Sequence, residues 1–484
     1  MAAGIARDPA SGVYTYPATE RPETLWRLLA DSAGRWPQAT ALTNGPVTYR
    51  QLVDEAESVA AGFHAAGIGP GDRIAILAAN GVPFVVAFFA AQRIGAMAVC
   101  LNTKLATPEL AWQVADCQAK ALVYEAEFAP KAPRVPLFWR AEQLPRGDPR
   151  QLPPSGDGSV ILYTSGTTGR PKGCILTGFN LGHTVVSYAR CFGLTHADRT
   201  LIAVPIFHVT GLAAQLLTLL HVGGSCALLP RFCAGDALTW LVRERITHML
   251  SVPTVYALLL EEPDHEDADL SAWRIAAYGG AAMPAAVIQD LRRWLPHLDL
   301  RNTYGLTEVA SPAVIAPPNG ELDCVGLPVP VGECRLGPDD ELLIRGPMVT
   351  PGYWRGSAPT EDGWLHTGDV AELRRSAIVI RDRLKDLINR GGEKVYCLEV
   401  EDALCAHPSV LEAAVVGMPD RVYGERVVAF VVPRGSAAPE SDRLRAHVAQ
   451  RLARYKVPER ITVLSELPRN ANGKVEKGRL RGLL

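Results

Sequence analysis

Apolar and polar positions along the chain fall into two alternating patterns. Short strand-like runs such as "RIAILAA", "AMAVCLN", "SVILY", "THMLSVP" and "LDLRNTYG" are bounded by Gly, Pro, Asn or Asp and predict strands. Between them lie longer segments with helical patterning, "VPFVVAFFAAQRIG" and "AAVIQDLRRWL" among them. Strands alternating with helices predict an α/β fold with layered parallel sheets. From Thr200 to Pro230 there is no Asp, Glu, Lys or Arg, a length that could span a bilayer. Pro205, His208, Gln215, His221 and Gly223-Gly224 interrupt it. It therefore reads as a buried strand "TLIAVP", a buried helix "GLAAQLLTLLHVG" and a second strand "SCALLP". Beyond Arg383 the pattern changes to helix "CLEVEDALCAH", strands "VLEAAVVGM" and "ERVVAFVVP", helix "SDRLRAHVAQRLARY" and strand "RITVLSEL". That is enough for a small α+β domain of its own.

Composition narrows the classes of function. The chain has 484 residues, 48% hydrophobic and 21% charged, with a formal net charge of -2. Size and balance fit a soluble globular protein of two or more domains. The near-zero charge offers no footprint for nucleic acid or an anionic membrane. The ten cysteines are scattered without C-x-x-C or Cys/His ligand spacing, which fits reduced thiols in a cytoplasmic protein. "MAAGIARDPASG" has neither the basic start nor the apolar stretch of a signal peptide. "GIGPGD" at Gly67 to Asp72 precedes a strand rather than following one, so it reads as a turn and not as a dinucleotide fingerprint.

The first candidate chemistry is "YTSGTTGRPKG", Tyr163 to Gly173, with four Ser/Thr hydroxyls, three glycines and a lysine behind the strand "SVILY". Backbone N–H groups, hydroxyls and a cation in one Gly-rich loop suit an anion. It is not a Walker loop: Pro171 stands where a glycine is required, Gly173 follows Lys172, and "GCILT" reads as a strand. Alone, it reads better as a hairpin turn. Further polar segments interrupt apolar sequence in a fixed order: "PIFHVTG", "YGGAAMP", "NTYGLTE", "GWLHTGD", "RDRLKDLINRGGEKV" and "PRNANGK". Singly, Glu308 reads as a surface carboxylate, Asp369 as a cap and Lys474 as a surface lysine.

Together, over nearly the whole chain from "VTYRQL" onward, these segments resemble the adenylate-forming superfamily of acyl-CoA synthetases, peptide-synthetase adenylation domains and luciferases. The resemblance is strongest to acyl- or aryl-CoA ligases. It implies a large N-terminal domain of layered β-sheets and helices with a small β-barrel-like subdomain (1–383), a hinge (384–386) and a smaller mobile α+β C-terminal domain (387–484). It implies ATP, Mg2+ and coenzyme A as cofactors. Thr164, Ser165, Gly166, Thr167, Thr168, Gly169 and Lys172 would hold the departing pyrophosphate. Gly279, Gly280 and Ala281 would lie beside the adenine, with Asn302, Tyr304, Gly305 and Thr307. Tyr304 can stack on a purine face. Glu308 would bring Mg2+ to the phosphates. Asp369 and Arg383 would grip the ribose and a phosphate. Lys474 would stabilise charge developing at the α-phosphate, in the transition state above all. Adenylation wants that lysine in the site and thiol transfer wants it out, so the small domain would pivot on Lys385. Gly391 and Gly392 would then face the pantetheine arm.

The acid is read mainly from His208. Amino-acid-activating relatives carry an aspartate there, whereas a largely neutral histidine provides no fixed partner for an ammonium group. His208 reads either as a gate at the acyl and pantetheine channel or as a half-buried structural histidine. With Val209, Tyr278, Gly279 and Ala310 it predicts an apolar pocket for a medium-chain or aromatic acid. A di-acid is disfavoured because no arginine is evident among these positions. Departures from the family pattern are Asp382 in place of a common glycine, "RRSAI" before it, Cys397 in place of a proline, and a short "VPVGECRLGPDDELLIRG". The implied activity is carboxylic acid–CoA ligation through an acyl-adenylate. Delivery to an amine or carrier pantetheine, a luciferase-like oxidation and a non-catalytic nucleotide- or acyl-binding protein are the alternatives. The expected partners are a small acid and CoA, with no nucleic acid and no membrane insertion. Oligomeric state is left open, a homodimer included.

Overall fold

The computed structural model describes residues 4–43, 45–164, 170–318, 320–321, 324–375, 377–435, 439–470 and 474–483. Two large sheets make up the N-terminal part. The first is seven-stranded, in the order Gly352–Tyr353, Lys172–Thr177, Ser159–Thr164, Met97–Cys100, Arg73–Leu77, Ala121–Tyr124, Leu137–Arg140. Its strands are parallel except at the end where Lys172–Thr177 turns back on Ser159–Thr164 and pairs with Gly352–Tyr353. The second is nine-stranded, with a parallel centre of Asp299–Tyr304, Ile275–Gly279, His248–Ser251, Arg199–Ile202 and Ser225–Leu228.

The alternation of strand side chains explains the layering. Ile74 and Ile76 of the first sheet, and Ile275 and Ala277 of the second, enter one shared core with helices Tyr49–Ala65, Val82–Arg93 and Gly178–Phe192. Ala75 and Leu77 face an outer cluster, as do Ala276 and Tyr278 on the far face of the second sheet. Both faces of each sheet are therefore covered, which is why the strands read as apolar runs rather than as alternating patterns.

The uncharged stretch folds as expected, strand–helix–strand, with one difference: Thr210–Leu217 is a π-helix that continues into Thr218–Val222. Thr218 Oγ1 donates to the Ala213 carbonyl at 2.8 Å, five residues back. Buried Gln215 accepts from Thr200 Oγ1 and from the Leu250 amide, tying this turn to two strands. Hydropathy cannot separate a π- from an α-helix, but π-turns commonly accompany functional sites. Among the described residues, no helix is long and apolar enough to cross a membrane.

A third, antiparallel sheet joins Glu333–Leu336, Glu341–Arg345, Trp364–Arg374, Thr360–Glu361 and Ala377–Arg383. The last sheet, from Ile388 onward, pairs Val410–Asp420 with Gly424–Pro433 antiparallel, and Gly424–Pro433 with Arg460–Val463 parallel. Val415, Val427 and Ala429 pack on helices Cys397–Cys405 and Ser441–Ala449, while Val416, Val428 and Phe430 form a second cluster on the opposite face. This lobe has its own core. The large N-terminal part of layered sheets with a smaller α+β C-terminal part is the architecture expected from the sequence.

Candidate active site

Where the two lobes meet there is one continuous cleft of about 2540 Å³. Strand ends and short turns bring the polar segments to it. Strand Ser159–Thr164 ends at Thr164, which pairs with Lys172 at the start of the next strand. Ser165, Gly166, Thr167, Thr168 and Gly169 lie outside the described residues. Lys172 Nζ stands 5.2 Å from the centroid of the Tyr353 ring.

Strand Asp299–Tyr304 delivers "NTYGLTE". Gly305 is required there, because a Cβ would fall 1.3 Å from the Ser311 carbonyl oxygen. That close approach folds the Thr307–Val309 turn back on itself and aims Glu308 into the cleft. Glu308 Oε1 accepts from Tyr353 Oη at 2.9 Å and from Thr164 Oγ1 at 3.4 Å. Gly279 is likewise forced, since a Cβ would meet Thr303 Oγ1 at 2.4 Å. Gly279, Gly280, Ala281, Asn302, Tyr304, Gly305 and Thr307 all line the cleft.

Asp369 lies within the strand Trp364–Arg374, next to Gly368 at φ 71, where the ladder to Ala377–Arg383 shifts register. A carboxylate expected at a turn thus sits beside a bulge, a common device for re-aiming a side chain. Asp369 is 3% exposed. Its Oδ2 accepts from Tyr304 Oη at 2.6 Å and its Oδ1 faces Arg383 Nε at 3.1 Å. Burial, then the Asp369 charge, pushes the Tyr304 phenol far above its usual value, so it stays a neutral donor. Glu341, which the sequence reading did not single out, clamps the turn: its Oε1 accepts from the Gly368 amide at 2.8 Å and its Oε2 faces His366 Nδ1 at 2.7 Å.

The C-terminal lobe contributes Lys474 to the same cleft. Its backbone is pinned to Asn470, through Lys474 N to Oδ1 at 3.0 Å and Asn470 N to the Lys474 carbonyl at 2.9 Å. Lys474 is exposed and lines the cleft, and partial desolvation lowers the ammonium's pKa. Arg383 adds to that lowering, while Asp369 and Glu308 oppose it. The lysine therefore stands in the field of Arg383, Asp369 and Glu308.

His208 and Val209 line the cleft. Burial pushes the His208 imidazole down to about 4, with Lys474 and Lys104 adding to the effect, so it is neutral near pH 7. Tyr278 and Ala310 are not brought to the cleft surface. Tyr278 points with Ala276 into the outer core of the second sheet, a consequence of strand parity, and Ala310 is fully buried at φ 53. Lys104 was missed in the loop after Met97–Cys100. It lines the cleft with no ion-pair partner among the described residues. Its charge acts on His208, so a cation stands near a predicted pocket residue where none was expected.

Gly391 and Gly392, at φ 63 and φ 92, turn between Ile388–Arg390 and Glu393–Val395, away from the cleft. Lys385 lines the cleft from the one-turn helix Leu384–Asp386. Asp382, noted in the sequence only as a departure, accepts from the Arg383 amide at 2.8 Å and from the Cys397 amide at the start of helix Cys397–Cys405. It thus joins the last strand before the turn to the first helix after it, a tertiary cap that sequence spacing does not reveal.

The donor set fits a magnesium nucleotide. Glu308 and the Thr164 hydroxyl are hard oxygen donors, and Mg2+ typically takes one or two carboxylates plus phosphate and water. Asp369 and Arg383 offer an acceptor and a cation side by side.

Comparison with known proteins agrees with this geometry. The family model described as AMP-binding enzyme matches residues 29–354, and that described as AMP-binding enzyme C-terminal domain matches 399–474. A feruloyl-CoA synthase of an Amycolatopsis species is 36% identical over 92% of this chain and 96% of its own. The solved o-succinylbenzoate CoA synthetase of Bacillus subtilis, in complex with its acyl-adenylate intermediate, superposes with a TM-score of 0.85 at 31% identity. That match covers 95% of this chain and 98% of the other. An amide bond synthetase from Marinactinospora thermotolerans gives a TM-score of 0.85 at 29% identity, covering 95% and 99%. The chain belongs to the AMP-binding enzyme family, the adenylate-forming ligases.

Proposed function

We propose that the protein is an ATP- and Mg2+-dependent carboxylic acid–CoA ligase that works through an acyl-adenylate. The observation that carries this reading is the convergence of Lys474, from the C-terminal lobe, with Glu308, Asp369 and Arg383 in one cleft. In the first half-reaction a carboxylate oxygen of the acid attacks the α-phosphorus of ATP. The bond from that phosphorus to the bridging oxygen breaks, and pyrophosphate leaves with its electron pair. Lys172 and the loop before it hold the leaving group, Asp369 and Arg383 fix the ribose, and Lys474 balances charge growing on the α-phosphate. Mg2+ beside Glu308 would supply neutralisation of the phosphate charge. In the second half-reaction the CoA thiol loses its proton to solvent and its sulfur bonds to the acyl carbon, as the bond from that carbon to the phosphate oxygen breaks and AMP departs.

The lobes are assigned as 1–383 and 387–484 with a hinge at 384–386, pivoting on Lys385. Gly391 and Gly392 lie away from the cleft in the present orientation, which suits a role reserved for the second. Ala203, Val204, Val209, Leu250 and Val255 also line the cleft, and we assign them to its acyl end. Apolar side chains of this kind suit an aromatic or medium-chain acid, and the relatives named for feruloyl and succinylbenzoyl groups favour an aromatic one. Lys104 leaves a second anionic group on the acid open. Supplies of ATP and CoA and the ten free cysteines suit the cytoplasm.

A panel of aromatic and aliphatic acids, read by pyrophosphate release with and without CoA, tests the assignment. Acid-dependent release with a CoA thioester by mass spectrometry is the expected result. Release independent of any acid overturns it. The resemblance to an amide bond synthetase supports one rival acceptor, an amine. Amide product in a mixture of CoA and amines would establish that rival.

A further inference from the structure

Glu308, on the Thr307–Val309 turn, and Lys172, at the start of the strand Lys172–Thr177, carry opposite charges, yet no ion pair between them is formed. Tyr353 stands between. Its hydroxyl donates to Glu308 Oε1 at 2.9 Å, and its ring carries Lys172 Nζ at 5.2 Å from the centroid, within cation–π range. The two-residue strand Gly352–Tyr353 that holds it is paired to Lys172–Thr177 through Cys174↔Tyr353. The same segment fixes the Glu308 backbone, since Thr350 N donates to the Glu308 carbonyl at 2.8 Å. Thr350 Oγ1 in turn donates to the Gly352 carbonyl at 2.9 Å. A direct Lys172–Glu308 pair would spend the cation and the carboxylate on each other. The phenol instead gives the carboxylate a neutral donor on one oxygen and gives the ammonium a π face. Burial and the Glu308 charge hold the phenol in its neutral form.

We propose that Tyr353 is a positioning residue that keeps Lys172 and Glu308 apart, orienting the lysine toward anionic phosphate and the second Glu308 oxygen toward a divalent cation. The inference rests on the adenylation reading above and assigns a function to a residue outside its nucleotide motifs.

The test is ATP binding by titration calorimetry in the absence of any carboxylic acid, so that no turnover intrudes, at a series of Mg2+ concentrations and in EDTA. Tyr353→Phe keeps the ring and loses the hydroxyl. Its Mg2+ midpoint for ATP binding rises about tenfold, as outer-shell partners of metal ligands commonly require, while affinity in EDTA stays within about twofold of the wild type. Tyr353→Leu also loses the face under Lys172, and its affinity for ATP in EDTA falls as well. Unchanged melting temperatures and circular dichroism exclude a folding defect. An unchanged Mg2+ midpoint in Tyr353→Phe, or an equal loss with and without Mg2+, overturns the proposal while the adenylation reading stands. A wild-type protein whose ATP binding ignores Mg2+ overturns both.

Discussion

Asp369 and Lys474 share one cleft but are held there by different means. Asp369 is 3% exposed, bonded at both oxygens and set beside a strand bulge whose neighbouring turn Glu341 clamps. Lys474 is carried by a lobe with its own core. Apart from the connecting turn and the buried bond from the Cys397 amide to Asp382, the ion pairs Lys394–Asp339 at 3.7 Å and Arg434–Glu261 at 3.4 Å tie that lobe to the rest, all four of their side chains well exposed. Exposed pairs of this kind contribute about 1 kcal/mol or less each and weaken with salt. In the proposed cycle the residues assigned to the nucleotide in both half-reactions are thus built into sheets. The one assigned to the first alone is carried by a separate lobe.

Breaking the sheet-borne grip should be more damaging than loosening the dock. Asp369→Ala removes a buried charged acceptor and leaves Tyr304 and Arg383 without their shared partner. We expect kcat/KM for ATP to fall by about two to three orders of magnitude, consistent with losing charge-assisted hydrogen bonds. Steady-state pyrophosphate release checks this, and a loss below about tenfold would place the ribose elsewhere.

Asp382 sharpens the comparison at the joint between the two regions. Burial raises its carboxyl from 3.8 to about 6 against the lowering influence of Lys477 and of the Arg383 and Cys397 amides, with Glu401 adding to the rise. Between those values the folded chain holds more protons than the unfolded one. Asp382 therefore costs increasing stability as pH rises from about 4 to 6, and a constant amount above that. The full span is on the order of 3 kcal/mol. Asp382→Asn cannot ionise, so its melting temperature should gain on the wild type across that window and then level off. A parallel pair of melting curves over the same pH range would contradict the assignment of that titration to Asp382.

The smallest effect belongs to the dock. Arg434→Ala should slow adenylation by less than about threefold, with the deficit shrinking as salt screens the same pair in the wild type. A loss of more than tenfold would mean that this contact, rather than the connecting turn and the cleft, sets the lobe's position.

Most of the architecture could be read from the chain because buried parallel strands leave unbroken apolar runs and exposed turns leave Gly, Pro and Asp. The nucleotide segments were legible because each is short and contiguous, "NTYGLTE" and "GWLHTGD" above all. What escaped was set by tertiary contact. Tyr353 belongs to a two-residue strand with no periodicity to detect. Glu341 and Asp382 act on backbone amides 27 and 15 residues away in sequence. Tyr278 adjoins Gly279 in sequence, yet in a strand adjacent residues face opposite sides, and it packs in the outer core. Lys104 lies in a loop between a strand and a helix, where nothing in local pattern marks a cleft.

The central claim is that Lys474 serves acid activation and not thiol transfer. Lys474→Ala, assayed for the two half-reactions separately, tests it most directly. Acid-dependent pyrophosphate–ATP exchange should fall by about two to three orders of magnitude, while thioester formation from supplied acyl-adenylate and CoA should stay within about threefold of the wild type. Equal loss in both half-reactions, or exchange that survives, would contradict the account.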